Sequence, residues 1–232
     1  MESEITVTNT QPNSWACTLI EHLTWKQHIA AGKRKVSIAL FYIKEVRHML
    51  PPDNLRTLYF SLIPPHLSYG ITVWDNAGQN VIRPLTLVLK RAIRLINNAS
   101  YYSHTGPTFK KLGILTLCDL FDYHSILFVY GYLSDKLPSS FSGCFPTNSD
   151  MPNSRATRQY KLFYVPNYPL NFSQRELIDL LPTLWNKLNE LIPENASRSQ
   201  TKRIIKSILL QDYPDVVRCE NTRFSECHFN FN

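Results

Sequence analysis

The run Asn80-Val81-Ile82-Arg83-Pro84-Leu85-Thr86-Leu87-Val88-Leu89-Lys90-Arg91-Ala92-Ile93-Arg94-Leu95-Ile96-Asn97 decides how this chain is read. At 100° per residue, with Arg83 as zero, the cations Arg83, Lys90, Arg91 and Arg94 fall between about −20° and 80°. The apolar residues Val81, Ile82, Leu85, Val88, Leu89, Ala92, Ile93, Leu95 and Ile96 fall between about 120° and 280°. Only Leu87 intrudes on the basic side. The spacing therefore predicts a helix with one face for a core and one face of aligned positive charge, and no Asp or Glu interrupts it. A face that merely sits in water usually intersperses acids among its bases, so this pattern favours contact with a phosphate backbone.

Working outward, helical periodicity continues in both directions. Val36, Leu40, Ile43, Val46 and Leu50 predict an amphipathic helix over 33–50, ended by Pro51-Pro52. A second helix opens at Pro52 or Asp53, with Leu55, Leu58, Tyr59, Leu62 and Ile63 on one face, and stops at Pro64-Pro65. The stretch from His66 to Trp74 is apolar on nearly all sides and belongs in the core. Beyond 97, a short basic helix is expected around Phe109 to Leu112, carrying Lys110 and Lys111. Thr116 with Asp119 predicts an N-cap for a long helix through Leu120, Phe121, His124, Leu127, Phe128, Tyr130 and Leu133, apolar almost all round and hence buried.

Residues 139–169 are rich in Pro, Ser and Asn and read as a surface loop, with only Lys161 to Val165 resembling a strand. Ser173 with Glu176 forms a capping-box pattern opening a helix to about Leu191, kinked or restarted at Pro182. Residues 199–210 form a last helix with Lys202, Arg203 and Lys206 opposite Ile204, Ile205, Ile208 and Leu209. The fold class is thus mainly α, a bundle of six or seven helices with a long Pro/Ser/Asn-rich loop. The organisation reads as a lead-in over 1–22, a helical region over 23–136, a linker over 137–172, C-terminal helices over 173–212 and a disordered tail over 213–232.

The chain has 232 residues, 44% of them apolar, enough to bury an ordinary core. Its net charge of +7 is concentrated: from Lys33 to Lys111 there are twelve Lys or Arg against Glu45, Asp53 and Asp75. The rest carries 13 basic and 15 acidic residues. The basic character therefore belongs to one region, which favours a polyanionic partner there. No run of about 18 uncharged apolar residues exists, and Met1-Glu2-Ser3-Glu4 is acidic where a signal peptide would be basic. The expectation is an intracellular protein, nuclear or cytoplasmic, without a membrane partner. Five scattered cysteines (Cys17, Cys118, Cys144, Cys219, Cys227) suit free thiols better than a disulfide framework.

Catalytic patterns are sparse. Cys219, Cys227 and His228 lack both a paired Cys-x-x-Cys and a fourth ligand, so no metal site is expected. His104 and His124 have no nucleophile elbow, phosphate loop or oxyanion signature beside them. With seven glycines in the chain a nucleotide-cradling loop is not expected either, and no cofactor is implied.

The ordered blocks LTWKQHI (23–29), MLPPDNLRTLYFSLIPPHLSYGITVW (49–74), KRAIRLI (90–96), SHTGPTFKKLGILTL (103–117), LPSSF (137–141) and LWNKL (184–188) resemble the region after the palm in reverse transcriptases of jockey-, CR1- and RTE-like non-LTR (LINE-type) retrotransposons. The resemblance spans about Leu23 to Leu210. It implies a helical thumb and C-terminal region that hold template RNA and primer DNA, with Arg83, Lys90, Arg91 and Arg94 touching the backbone of RNA, DNA or an RNA–DNA hybrid. Lys110 and Lys111, on the short basic helix, are expected to join this nucleic-acid-binding set. His66, Tyr69 and Trp74 match recurrent positions of the family, although an aromatic stripe between helices more often belongs to a core.

The family's chemistry does not come with it. Nucleotidyl transfer uses clustered carboxylates to hold two divalent metals about 3.5 to 4 Å apart, and no two acidic residues adjoin in this sequence. The palm and fingers would precede Leu23. The expectation is a reverse-transcriptase-derived fragment that is no enzyme on its own. The alternatives are a domesticated scaffold that binds another protein through the surface that once met a palm, and a transposon relic without function.

Overall fold

A computed structural model describes residues 25–74, 77–152, 160–165, 177–193 and 196–211. The expected lead-in, the tail, the Ser173–Glu176 capping pattern and the Cys219, Cys227, His228 group lie outside these residues. The protein is mainly α-helical, and its contacts divide it into two compact units, one ending at Ser103 and one beginning at His104. Among the described residues the only β pairing is an isolated antiparallel bridge between Thr147 and Phe163.

The first unit contains α1 (Lys26–Val46), α2 (Pro52–Leu62), α3 (Pro64–Ser68), α4 (Ile71–Trp74) and α5 (Gln79–Ile96). Its most extensive packing is α1 against α5. Helix α1 begins seven residues before the predicted start at Lys33. The small residues Ala30, Ala31 and Gly32 blur its periodicity, yet Ile29 one turn earlier is buried and extends the apolar stripe. The helix ends at Val46 rather than Leu50, because a residue before proline is driven out of the helical region and residues 47–50 turn into Pro51. Pro52 then occupies the first turn of α2, where a missing N–H costs nothing.

The 66–74 stretch is core as expected, but as two short helices. Leu67, Ile71 and Trp74 are buried, and the Trp74 indole N–H donates to the Tyr69 carbonyl at 2.9 Å. Gly70, at φ +62°, makes the turn between them, a conformation in which a Cβ is strained. Tyr69 and Val73 point outward, 44% and 49% exposed, so the aromatic stripe is only partly core.

The second unit contains α6 (Gly106–Leu112), α7 (Leu117–Leu133), α8 (Leu177–Leu188) and α9 (Arg198–Gln211). Helix α6 ends at Gly113, φ +61°, with Ile114 N–H donating back to the Phe109 carbonyl. Thr116 and Asp119 form the predicted capping box: Asp119 N–H donates to the Thr116 hydroxyl, and Thr116 N–H donates to the Asp119 carboxylate. Helix α7 is the centre of this unit. Ile126 joins Leu184 and Leu188 of α8, Ile192 of the connection after it, and Ile205 and Leu209 of α9, and Val129 joins Phe145, Phe163 and Leu181.

That second cluster alters the reading of the 139–169 segment. Its described residues, 139–152 and 160–165, are irregular, with short 3-10 turns at 139–141 and 148–150, yet Phe145 and Phe163 are 6% and 4% exposed. Asn186 fixes Phe163 by donating to its carbonyl at 2.8 Å and accepting from its N–H at 3.0 Å. The KLFYV run therefore supplies an anchor, and it makes a single bridge instead of a strand. Of the kink or restart expected at Pro182, the restart does not occur: Pro182 lies inside α8, which continues through it.

Candidate nucleic-acid interface

Helix α5 carries the predicted division of faces. Ile82, Leu85, Val88, Leu89, Ala92, Ile93 and Ile96 are buried. On the other side Arg83 and Arg91 are exposed, Lys90 and Arg94 half-buried, and Leu87 is 48% exposed as the helical wheel requires. Pro84 sits inside the helix and leaves the Asn80 carbonyl without its usual N–H donor, a cost that exposed Asn80 offsets with water.

The end of α5 shapes the site. Asn98 adopts φ +48°, a left-handed conformation that Asn tolerates better than most residues, and Ala99 N–H donates back to the Arg94 carbonyl at 2.9 Å. The chain thereby reverses and returns beside its own last turn. Arg94 Nε donates to the Ser103 carbonyl at 3.1 Å, and its guanidinium lies over the Tyr101 ring at 5.8 Å. Arg94 is thus partly engaged in holding the 97–103 turn, a role its sequence position does not announce.

Packing of α5 on α1 adds cations from a second helix. Between them lies an open cleft of about 490 Å³, lined among others by Phe41 and Lys44 of α1, Arg47 just past its end, Arg91 and Arg94 of α5, and Tyr101 of the returning turn. Phe41 and Lys44 are three residues apart and so share one side of α1, and Arg47, the C-cap, follows at the same spacing. Glu45 is absent from that lining. Of the six residues expected from sequence, the cleft brings Arg91 and Arg94 together; Arg83 and Lys90 continue the basic face outside its lining. Lys110 and Lys111 belong to the second unit, at the last turn of α6, where Lys110 Nζ donates to the Gln211 carbonyl at 3.4 Å. A cation at the C-terminal end of α9 also complements the helix dipole.

Sequence reasoning placed Lys44 and Arg47 in the basic region but not in the site. The signal was present, since both flank the Val36, Ala39, Ile43 stripe on α1. The exposed aromatics Phe41 (56%), Tyr101 (62%) and Tyr102 (89%) were also passed over.

Three histidines have their pKa values lowered below the ordinary one. Burial, and then Lys35, lower the pKa of both His28 and His66; burial, and then Lys202, lower that of His124. Among the described residues no group of three or more His, Cys, Asp or Glu is arranged to hold a metal ion, and Cys118 and Cys144 are not in a disulfide. Again among the described residues, no single helix is long and apolar enough to cross a membrane. The arrangement offers positive charge and aromatic surface side by side, the chemistry that grips a polyanion carrying flat bases.

Comparison with known proteins adds one relative. The probable RNA-directed DNA polymerase from transposon X-element of Drosophila melanogaster is 22% identical over 121 residues. The similarity supports a reverse-transcriptase-related origin. It covers 50% of this chain and 13% of the relative, so the chain spans a small part of that polymerase. No family model and no solved structure matches the sequence.

Proposed function

We propose that this chain is the nucleic-acid-holding, thumb-like segment of a non-LTR-type reverse transcriptase, gripping RNA, DNA or a hybrid by its backbone through α5 and α1. The observation that carries this reading is the meeting of Arg91 and Arg94 with Lys44 and Arg47 in one cleft, continuous with Arg83 and Lys90 on an acid-free helix. Clustered cations release condensed counterions from phosphates, so such a face binds nucleic acid with affinity that falls steeply with salt. Contacts to phosphate carry little base information, and the grip has little sequence preference. Lys110 and Lys111, on the second unit, are proposed as further backbone contacts of that unit alone. Polymerisation itself requires paired metal-binding carboxylates, and this segment, with no adjacent acidic pair, performs none on its own.

The test is binding to duplex DNA across a salt series. Four phosphate contacts give a slope of about −3.6 in the logarithmic plot. Because Arg94 also holds the 97–103 turn, the informative variant is the triple Arg83→Gln, Lys90→Gln, Arg91→Gln, with the quadruple variant that adds Arg94→Gln beside it. The triple variant should reduce the slope by about 2.7 with helix content unchanged. Parent-like affinity at every salt concentration for both variants would move the grip elsewhere. That result would favour a second reading, a protein-binding scaffold, for which the exposed Ile38, Tyr42, Tyr69 and Val73 of the first unit are the specific observation.

A further inference from the structure

We infer that the cleft between α1 and α5 seats an unpaired nucleotide, so that the protein holds single-stranded nucleic acid there in preference to duplex. The inference rests on the polyanion reading above and gives it a substrate class. A ridge of cations suffices for a duplex, whose outer surface is sugar and phosphate. This site is concave, and its volume of about 490 Å³ lies within the roughly 300–1,000 Å³ of pockets that enclose small organic groups.

Its lining also carries what a duplex does not use. Phe41, from α1, and Tyr101, from the turn after α5, both border the cleft with more than half their surface exposed. Exposing two large aromatic rings is unfavourable unless something covers them, and an unpaired base is a flat partner that any sequence supplies. Tyr101 is held in place beforehand. Arg94 lies over it, and Tyr102 meets it edge-on at 5.3 Å and 89°. Arg94 in turn is fixed by the Ser103 carbonyl. Arg94 is therefore a positioning residue for the ring, while Lys44, Arg91 and Arg47, whose Nε donates to His48 Nε2 at 3.2 Å, are the cations placed to meet the flanking phosphates. A duplex can reach the rings only by extruding a base, which costs a few kcal/mol of stacking and pairing; a single strand incurs none of it.

The experiment compares the full chain with the double variant Phe41→Ala, Tyr101→Ala on fluorescent oligo-dT, oligo-U and a duplex of equal length, by anisotropy at several salt concentrations. Both side chains are exposed, so the variant should keep parental circular dichroism. The parent should bind both single strands about tenfold more tightly than duplex, and the variant should lose about tenfold on them and under twofold on duplex, the effect of removing a stacked base. The salt slope should stay as in the parent, because no charge is removed. Tyr101→Phe, which keeps the ring, should bind as the parent does. If the double variant matches the parent on single strands while salt-dependent binding persists, the cleft inference fails and the backbone grip stands. If the parent shows no salt-dependent binding to any of the three probes, both fail.

Discussion

Helices α5 and α7 are nearly equal in length, 18 and 17 residues, and treat their surfaces in opposite ways. Helix α5 sorts its residues, apolar on one side and basic on the other, so that the core takes one side and the basic side faces outward. Helix α7 hardly sorts at all: Leu117, Phe121, Ile126 and Val129 are buried together with Asp119, Asp122 and Ser125, while the C-terminal helices and the anchored loop close over it. One helix presents chemistry and the other organises a core. A helix with strongly divided faces is where a function is legible, because its solvent face is free of packing demands; a helix that is apolar all round reports only on stability.

Core truncation should separate the two most strongly. Ile126→Ala in α7 and Ile93→Ala in α5 each remove a side chain with 0% exposure and should each cost about 2–5 kcal/mol of stability. Their consequences for nucleic acid should differ. Ile93 seats α5 in the core of the first unit, so its loss should weaken binding, whereas Ile126→Ala, assayed where it remains folded, should bind as the parent does. Equal binding losses would erase the distinction between presenting and organising helices. A smaller effect is expected at the start of α7. Thr116→Ala removes the capping hydroxyl and should cost about 1 kcal/mol in chemical unfolding, with Thr116→Ser restoring most of it. No change in Thr116→Ala would mean the box contributes nothing net.

How much of this could be read in the sequence follows from the same contrast. The α5 wheel gave the helix, its buried face and the exposed Leu87, because period and polarity agree at nearly every position, Leu87 being the exception. The Thr116–Asp119 box was legible because capping is local. The start of α1 was not, since Ala30, Ala31 and Gly32 carry little periodic signal and the deciding contact of Ile29 is tertiary. Nor was the anchoring of Phe145 and Phe163, whose burial depends on α7 and on Asn186, far away in sequence. At the site, Arg83, Lys90, Arg91 and Arg94 could be grouped from one helix alone. Lys44, Arg47 and Tyr101 could not, because a single-helix wheel holds no information about which face of α1 lies beside α5, or about the chain reversal at Asn98 that brings Tyr101 back.

A gain of charge sharpens the comparison from the other side. Leu87 stands amid the basic face, 48% exposed. Leu87→Lys should alter stability by under about 0.5 kcal/mol and steepen the salt dependence by about 0.9, one more phosphate contact. The same replacement at α7's exposed Leu133 should leave the slope as it is. A steepening at Leu133 equal to that at Leu87 would mean that binding follows net charge rather than the α5 face.

The smallest effect expected is a pH dependence of stability, and its sign follows from the histidines. His28, His66 and His124 have pKa values lowered in the folded chain, first by burial and then by Lys35 or Lys202. On unfolding each regains the ordinary value of about 6.5. In the window below that value and above the lowered ones the unfolded chain binds more protons, so stability rises with pH through it and falls on acidification. Asp150, lowered by hydrogen bonds from Thr147, acts in the same direction, but only in the carboxylate range. None of the three histidines is fully buried, so the effect is modest and solvent screening reduces it further. Unfolding followed by tryptophan emission should show the denaturant midpoint falling from pH 7 to pH 5.5. Trp74 packs against His28, with ring centroids 6.1 Å apart, and reports the first unit, while Trp185 packs beside the α7 cluster and reports the second. His124→Gln should flatten the dependence of the second unit, and His28→Gln that of the first. A midpoint that rises on acidification would contradict the burial-lowered pKa values assigned to these histidines.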